Sequence, residues 1–337
     1  MIREAISRVV AGDHLTQDEA GAVMAEIMGD EVTPAQFGAL VTALRLKGET
    51  VDEIAGFAGM MRDRALPVTL PPGGAVVDTC GTGGDSKGTF NVSTAAAIVV
   101  AAVGYRVAKH GNRAASSLCG SADVLEALGV PISLSPPAVA ASIAEVGIAF
   151  MLAPLFHPAT RFAVGPRREI GIRTVFNILG PLTNPARVTA QVLGVPDAGL
   201  VEKMAAVLGR LGARHALVVR ADDGMDELSV SAPTTVCELH GGAVRTYRVS
   251  PEDLGLQRAA PSAIAGGGAQ ENAALMLEVL DGTASQALRD VVALNAAAAL
   301  IACEGAAGFP EGIALARKAM ESGAARAKLE QWRHTRP

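Results

Sequence analysis

A chain of 337 residues, half of them hydrophobic but only 3% aromatic, exceeds the usual single-domain size. The expectation is one large domain with a smaller companion, its core filled by Ala, Val, Leu and Ile. The formal charge of −5 argues against a general nucleic-acid surface, although local cations on an acidic protein still bind small anions.

The first seventy residues read as helices. Thr16 with Glu19, Thr33 with Gln36 and Thr50 with Glu53 each form a T-x-x-E/Q pattern ahead of an apolar-periodic segment, the mark of a capping box. Pro34 occupies a first helical position, where its missing N–H costs nothing. Three such starts at close spacing predict a small helical bundle over residues 1–70. Residues 66–74, LPVTLPPGG, cannot continue a helix and form a linker. The segment MIREAISRVVAGDHL carries charges and no long apolar core, so it does not read as a signal peptide. No uncharged apolar run approaches the roughly 18 residues of a membrane span. The stretch 95–103 is a buried helix.

From residue 75 the pattern alternates. Strands are predicted at 76–79, 106–109, 148–152 and 216–220, with helices at 93–103, 121–128, 136–146 and 198–209. Short strands alternating with helices imply an α/β domain over 75–337 with a mostly parallel central sheet, and ligands there bind beyond the carboxyl ends of the strands. Residues 156–186, rich in Pro, Arg and Gly, read as a helical excursion returning to the bundle. Residues 227–249 alternate around Gly241-Gly242 and predict a β-hairpin. Residues 271–332 are helical again, with little catalytic vocabulary. Cys80, Cys119, Cys237 and Cys303 lack CxxC spacing, which argues against a disulfide framework or zinc site and fits a reducing cytoplasm.

Most of the chemistry lies between Asp78 and Asp123. The loop GTGGDSKGT, residues 81–89, lets backbone N–H groups approach an anion, and the helix entered through NVST adds its positive end. It is neither a Walker loop nor the GxGxxG fingerprint, since Lys87 lacks a following Ser or Thr and Ser86 stands at the third glycine. The second loop, KHGNRAASS at 109–117, supplies two cations and two hydroxyls suited to phosphate; alone it reads equally well as a solvated loop. His110 has no second histidine at helical spacing and suits packing or a substrate wall. Asp226-Glu227 by itself is more often an ordinary acidic turn. Beside a phosphate site it invites Mg²⁺, with Ser93 as a further oxygen donor. Asp222 and Asp223 read as solvated. Arg161, Arg167, Arg168 and Arg173 crowd the excursion, where one guanidinium suits a substrate carboxylate and the others suit surface acids. No arrangement for a covalent nucleophile is legible.

Together the strings GTGGD, TFNVSTA, KHGNRAASS, GSADVLEALG, HPATR, RTVFNILGPLTNPA and DGMDELS resemble the anthranilate phosphoribosyltransferase family, in the family's order. GGGAQENA and LNAAAAL fit more loosely, so the resemblance spans nearly the whole chain. It implies a small helical domain beside a large α/β domain of the nucleoside phosphorylase/phosphoribosyltransferase C-like kind, a homodimer joined through the helical domain, and an active site between the domains. The implied substrates are 5-phosphoribosyl 1-diphosphate (PRPP) and anthranilate, with Mg²⁺, in tryptophan biosynthesis; neither nucleic acid nor a membrane is a partner. By motif position Gly81, Gly84, Asp85, Thr89, Asn91, Val92, Ser93, Thr94, Lys109, His110, Gly111, Asn112, Arg113, Ala114, Ala115, Ser116, Ser117 and Ser121 hold PRPP. Gly81, Asn112 and Arg167 contact anthranilate, and Ser93, Asp226 and Glu227 ligate Mg²⁺. Lys109 and Arg167 are the candidate catalytic groups.

Two positions depart from the family pattern. Cys119 replaces an expected Ser, putting one minor contact in doubt, and Gly165-Pro166 precedes Arg167 where Pro-Val is frequent. An aromatic amine is unprotonated near neutral pH, so the implied reaction needs no strong base and rests on positioning and electrostatics. A nucleoside phosphorylase of related architecture, or a family-derived protein that has lost catalysis and binds a partner such as nucleic acid, are the competing readings. RTVFNILGPLTNP speaks against the first. The intact DGMDE and KHGN strings and the negative charge speak against the second.

Overall fold

The computed structural model describes residues 1–70, 72–114 and 118–335. Four helices open the chain: Ile2–Val10 (α1), Gln17–Met28 (α2), Pro34–Lys47 (α3) and Val51–Asp63 (α4). All three capping boxes form. The Thr16 hydroxyl accepts from the Glu19 N–H at 3.3 Å while the Glu19 carboxylate accepts from the Thr16 N–H at 2.8 Å. Thr33 with Gln36 and Thr50 with Glu53 repeat the exchange. Fully buried Glu53 also accepts from the Leu15 N–H and from Lys47, so one carboxylate ties three segments of the bundle. The start of α1 lacks a side-chain cap, which is why no pattern announced it.

The sheet comprises Val76–Gly81 (β1), Arg106–Gly111 (β2), Ile148–Leu152 (β3), Ala190–Gly194 (β4), His215–Ala221 (β5), Thr234–His240 (β6) and Ala243–Val249 (β7), in the order β3-β2-β1-β4-β5-β6-β7. The first five strands run parallel, β6 pairs antiparallel with β5, and β7 pairs antiparallel with β6. Gly241 and Gly242, at φ +56° and +86°, make the two-residue hairpin turn that needs two left-handed positions. The central strand β4 is absent from the sequence-based strands. Its five residues are all buried, and a run that short, following a Pro-rich excursion, has no alternation to reveal it.

The remaining helices are Val92–Val103 (α5), Ser121–Ala127 (α6), Pro136–Glu145 (α7), Ala153–Phe156 (α8), Arg161–Ile170 (α9), Phe176–Leu179 (α10), Val201–Arg210 (α11), Ala269–Leu280 (α12), Gln286–Ala302 (α13), Phe309–Glu321 (α14) and Ala324–Arg333 (α15). Strand alternation sorts the layers. Val77, Val107, Phe150, Val192 and Leu217 face α5 and the C-terminal helices. On the other face Ala108 and Met151 pack with α7, and Leu193, Ala216 and Val218 join α11 and the helical bundle. The excursion returns as predicted, with α9 packing on α2 and α3. Buried Arg62 on α4 reaches back, its Nη1 donating to the Leu211 carbonyl at 2.9 Å.

Candidate active site

The chain order of the sheet reverses beside β1, which lies between β2 and β4. In open α/β sheets this switch point is where a crevice forms at the strand ends. Gly81 and Gly194 stand opposite each other there. A Cβ on Gly194 would lie 1.4 Å from the Asp226 carbonyl oxygen, and one on Gly81 would lie 2.3 Å from Asp226 Oδ2. Both glycines are therefore steric permissions for the turn after β5 to fold across the ends of β1 and β4. Asp226 Oδ2 accepts from the Gly83 N–H at 2.8 Å, and Glu227 Oε1 from the Ser93 N–H at 3.0 Å. Two adjacent acids thus clasp the glycine loop and the start of α5.

The cluster carries surplus negative charge. Burial, then repulsion from Asp85, raises Asp226 to about 6. Burial and Asp226 push Glu227 well above the usual carboxylate range. Asp85 Oδ2, Thr82 Oγ1 and Thr94 Oγ1 are buried without hydrogen-bond partners among the described residues. Beneath them Lys109 is 2% exposed. Its Nζ donates to the Thr79 carbonyl and lies 3.4 Å from Ser93 Oγ. Burial lowers the Lys109 pKa, and Asp78 opposes that effect. Asp78, buried one layer deeper, accepts from the His110 N–H and from Asn184 Nδ2. A hard-oxygen donor set with unpartnered acceptors and more buried carboxylate than ammonium fits a divalent cation such as Mg²⁺.

Gly83, Gly84, Ser86 and Gly88 all have positive φ, the kind of backbone in which N–H groups can form an anion-binding nest. Those of Gly84, Asp85, Ser86 and Gly88 have no partner among the described residues. Thr89 makes an isolated bridge to Ala265. The expectation for the α5 N-terminus needs correcting. The Val92 N–H donates to the Phe90 carbonyl, that of Thr94 to the Asn91 carbonyl, and that of Ser93 to Glu227. The Ser93 N–H at the positive helix end is thus spent on the carboxylate of Glu227, which it stabilises, and the partnerless amides belong to the loop. The Val92 side chain is wholly in the core.

The second loop is tied to α6. Arg113 is ion-paired with Asp123 and Glu126 on α6, and the Ala114 N–H donates to Asp123 at 2.9 Å. Asp123, which carries no expected role, organises this loop. Gly111 admits Ser121, whose hydroxyl donates to the Asn112 carbonyl at 3.2 Å; the Asn112 side chain is exposed. The His110 ring turns away to pack against His157 at 5.2 Å between centroids, so it is a packing residue. Ala115, Ser116 and Ser117 lie outside the described residues. Lys109 likewise sits under the metal-type cluster and does not open into the crevice.

Of the excursion arginines, Arg161 lies over the Phe162 ring and Arg167 over that of Phe176 at 5.6 Å. Arg173 Nη2 donates to the Gly83 carbonyl at 3.0 Å, joining the excursion to the glycine loop. None of these three, nor Arg168, is ion-paired among the described residues, which corrects the expectation that the extra arginines pair with surface acids. Of the four, Arg173 is the one whose observed bond places it at the glycine loop. Pro166 sits inside α9, directly before half-buried Arg167. Cys119 is buried and offers its carbonyl to Asn91 Nδ2. Asp222 pairs with Arg248, and Asp223 accepts from Ser229 Oγ and the Met225 N–H, so both are structural.

Two family models match the chain: "Glycosyl transferase family, helical bundle domain" over residues 3–65 and "Glycosyl transferase family, a/b domain" over 73–326. An anthranilate phosphoribosyltransferase of Moorella thermoacetica is 56% identical over 330 residues, covering 98% of this chain and 97% of that protein. The chain belongs to the anthranilate phosphoribosyltransferase family. The family enzyme of Herpetosiphon aurantiacus is 54% identical over 98% of this chain and 97% of its own length. The crystal structure of the family enzyme from Thermus thermophilus matches with TM-score 0.92 at 46% identity, covering 98% of both chains. The solved structure of the Saccharomyces cerevisiae enzyme in complex with PRPP and Mg matches with TM-score 0.89 at 28% identity, covering 98% of this chain and 96% of that one.

Proposed function

We propose that this protein transfers the phosphoribosyl group of PRPP to the amine of anthranilate, releasing diphosphate and N-(5-phosphoribosyl)anthranilate, in tryptophan biosynthesis. The observation that carries the reading is the Asp226-Glu227 turn, which binds the glycine loop and the α5 start from across the sheet. It makes one crevice that unites an anion-binding nest with a hard-cation donor set, as the transfer of a diphosphate-activated sugar requires. The S. cerevisiae relatives solved with PRPP and Mg, and with 4-fluoroanthranilate, support the same substrates here.

Ser93, Asp226 and Glu227 would hold Mg²⁺, which when bound neutralises charge developing on the diphosphate. The loop amides of Gly84, Asp85, Ser86 and Gly88, which have no partner among the described residues, receive phosphate oxygens without breaking a bond first. Lys109 is a positioning residue: its buried ammonium offsets the acids from beneath and orients Ser93 Oγ. Arg167, held over Phe176, receives the anthranilate carboxylate. The nitrogen lone pair forms the bond to C1 as the bond from C1 to the diphosphate oxygen breaks, and the nitrogen then gives its extra proton to the released diphosphate or to solvent. No base is needed before attack.

We further propose a division into residues 1–70, joined by the excursion at 156–190, and residues 75–337, with homodimerisation through the helical part and a cytoplasmic location. No helix of the described residues is long and apolar enough to cross a membrane. The test mixes the protein with anthranilate, PRPP and Mg²⁺ and follows anthranilate fluorescence. A loss that needs all three supports the reading; a steady signal, with phosphorolysis of uridine instead, overturns it. Asp226→Asn is expected to raise the Mg²⁺ concentration needed for half-activity, and an unchanged magnesium profile would remove Asp226 from the metal site.

A further inference from the structure

The C-terminal helices reach the crevice through two buried amides. Asn272 on α12 is 1% exposed. Its Nδ2 donates to Asn91 Oδ1 at 2.9 Å and its Oδ1 accepts from the Gly267 N–H at 2.7 Å. Asn91 in turn donates to the Cys119 carbonyl at 3.2 Å. One chain of amides therefore links α12, the exit of the glycine loop and the return of the second loop. The segment before α12 is laid along the same loop. The Gly266 N–H donates to the Gly88 carbonyl at 2.8 Å and the Phe90 N–H to the Ile264 carbonyl at 3.2 Å. A Cβ on Gly266 would stand 2.6 Å from the Phe90 Cα, so that glycine is what lets the two backbones touch.

Asn295 on α13 plays the matching part on the other side. Its Oδ1 accepts from the Leu228 N–H at 3.0 Å and its Nδ2 donates to the Leu228 carbonyl at 2.9 Å. A third bond to the Val291 carbonyl locks the amide to its own helix. Leu228 directly follows Glu227. The amide thus pins the peptide that sets the direction of both acids, and it lines a narrow cavity with Thr79, Ser93, Gly194, Asp226 and Glu227.

We propose that Asn272 and Asn295 are separate positioning residues for the two halves of the transfer site. Asn272 holds the PRPP loops in register, and Asn295 holds the metal-binding turn. An amide supplies a donor and an acceptor from one short, uncharged planar group, and both amides are buried. This rests on the proposed function, and the two fail distinguishably.

The unsubstituted enzyme is assayed first; no anthranilate consumption there rejects the function and leaves nothing for the amides to position. With consumption present, Asn272→Leu and Asn295→Leu are compared well below their melting temperatures. Asn272→Leu is expected to raise the KM for PRPP about tenfold or more, and Asn295→Leu to raise the half-activating Mg²⁺ concentration by a similar factor, as for residues that orient direct ligands. Each leaves the other constant, and the KM for anthranilate, within about twofold on the same reasoning. Calorimetric titration of Mg²⁺ without anthranilate provides a readout apart from turnover; Asn295→Leu weakens it and Asn272→Leu does not. Where a leucine variant fails to fold, the serine variant at that position is read for the same split. A uniform fall in kcat in both variants, with all three constants and the titration unchanged, overturns the proposal.

Discussion

Substitution of Gly194 by alanine tests the crevice most directly. Its φ is not in the left-handed region, so the backbone accepts alanine, and by itself the change would stabilise by about 0.4–1 kcal/mol through the unfolded chain. The added methyl, however, falls 1.4 Å from the Asp226 carbonyl oxygen and 2.4 Å from its carbonyl carbon, where ordinary contact begins near 3.4 Å. The Asp226 backbone must therefore retreat by roughly 2 Å, beyond what side-chain rotation relieves, at a cost of about 1–3 kcal/mol. That lowers Tm by a few degrees without unfolding a domain of this size. Activity suffers more, because a displacement of about 1 Å in a positioned group already costs on the order of a hundredfold. Gly194→Ala should stay folded by circular dichroism, lose at least about a hundredfold in kcat/KM, and need more Mg²⁺. Gly180→Ala is the control: that residue is helical and no heavy atom lies within 4 Å of its Cβ position. If Gly194→Ala retains normal activity and an unaltered Mg²⁺ profile, Asp226 is not held where the reaction needs it.

Three further outcomes follow from the same geometry. Arg167→Gln should raise the KM for anthranilate by about 10- to 150-fold, the worth of a charged hydrogen bond, with the KM for PRPP little changed; Arg167→Lys should restore only part, lacking the planar fork. Lys109→Met leaves Asp78 and the metal-type acids without their buried cation and should destabilise by about 3–5 kcal/mol in urea unfolding, with Asp78→Asn recovering part of the loss. His110 and His157 are pushed down to about 3 and about 4, chiefly by burial. Both native values lie below the unfolded value, so the unfolded chain takes up protons that the native state refuses. Stability is full above about pH 6.5 and falls as pH drops, by about 2 kcal/mol per histidine at pH 5. Tm measured from pH 8 to pH 5 should decline, and His157→Gln should flatten the curve; an unchanging wild-type Tm refutes this account.

The helical starts were legible because a capping box is a local object: Thr50 and Glu53 find each other within one turn, whatever lies around them. The hairpin was legible for the same reason, since Gly241 and Gly242 need no distant partner to turn the chain. Strand β4 was not. It is central, fully buried and recognisable only by its neighbours β1 and β5. The fate of the α5 N-terminus was equally hidden, because the group that occupies its Ser93 N–H is 134 residues downstream.

The sequence alone determined the vocabulary of this protein: a glycine-rich loop after a strand, a basic second loop, an acidic pair, an arginine-rich excursion, and their order in the family pattern. Tertiary structure decided which of those groups face the crevice. It gave Arg113 to Asp123 and Glu126, turned His110 toward His157, buried Lys109 beneath the acids and set Arg173 on the Gly83 carbonyl. It also brought in Gly194, Asn272 and Asn295, which have no chemical signature of their own. The physical reason is that composition and short spacing specify what a group can bond, whereas burial and partners from remote strands specify what it has left to offer a substrate.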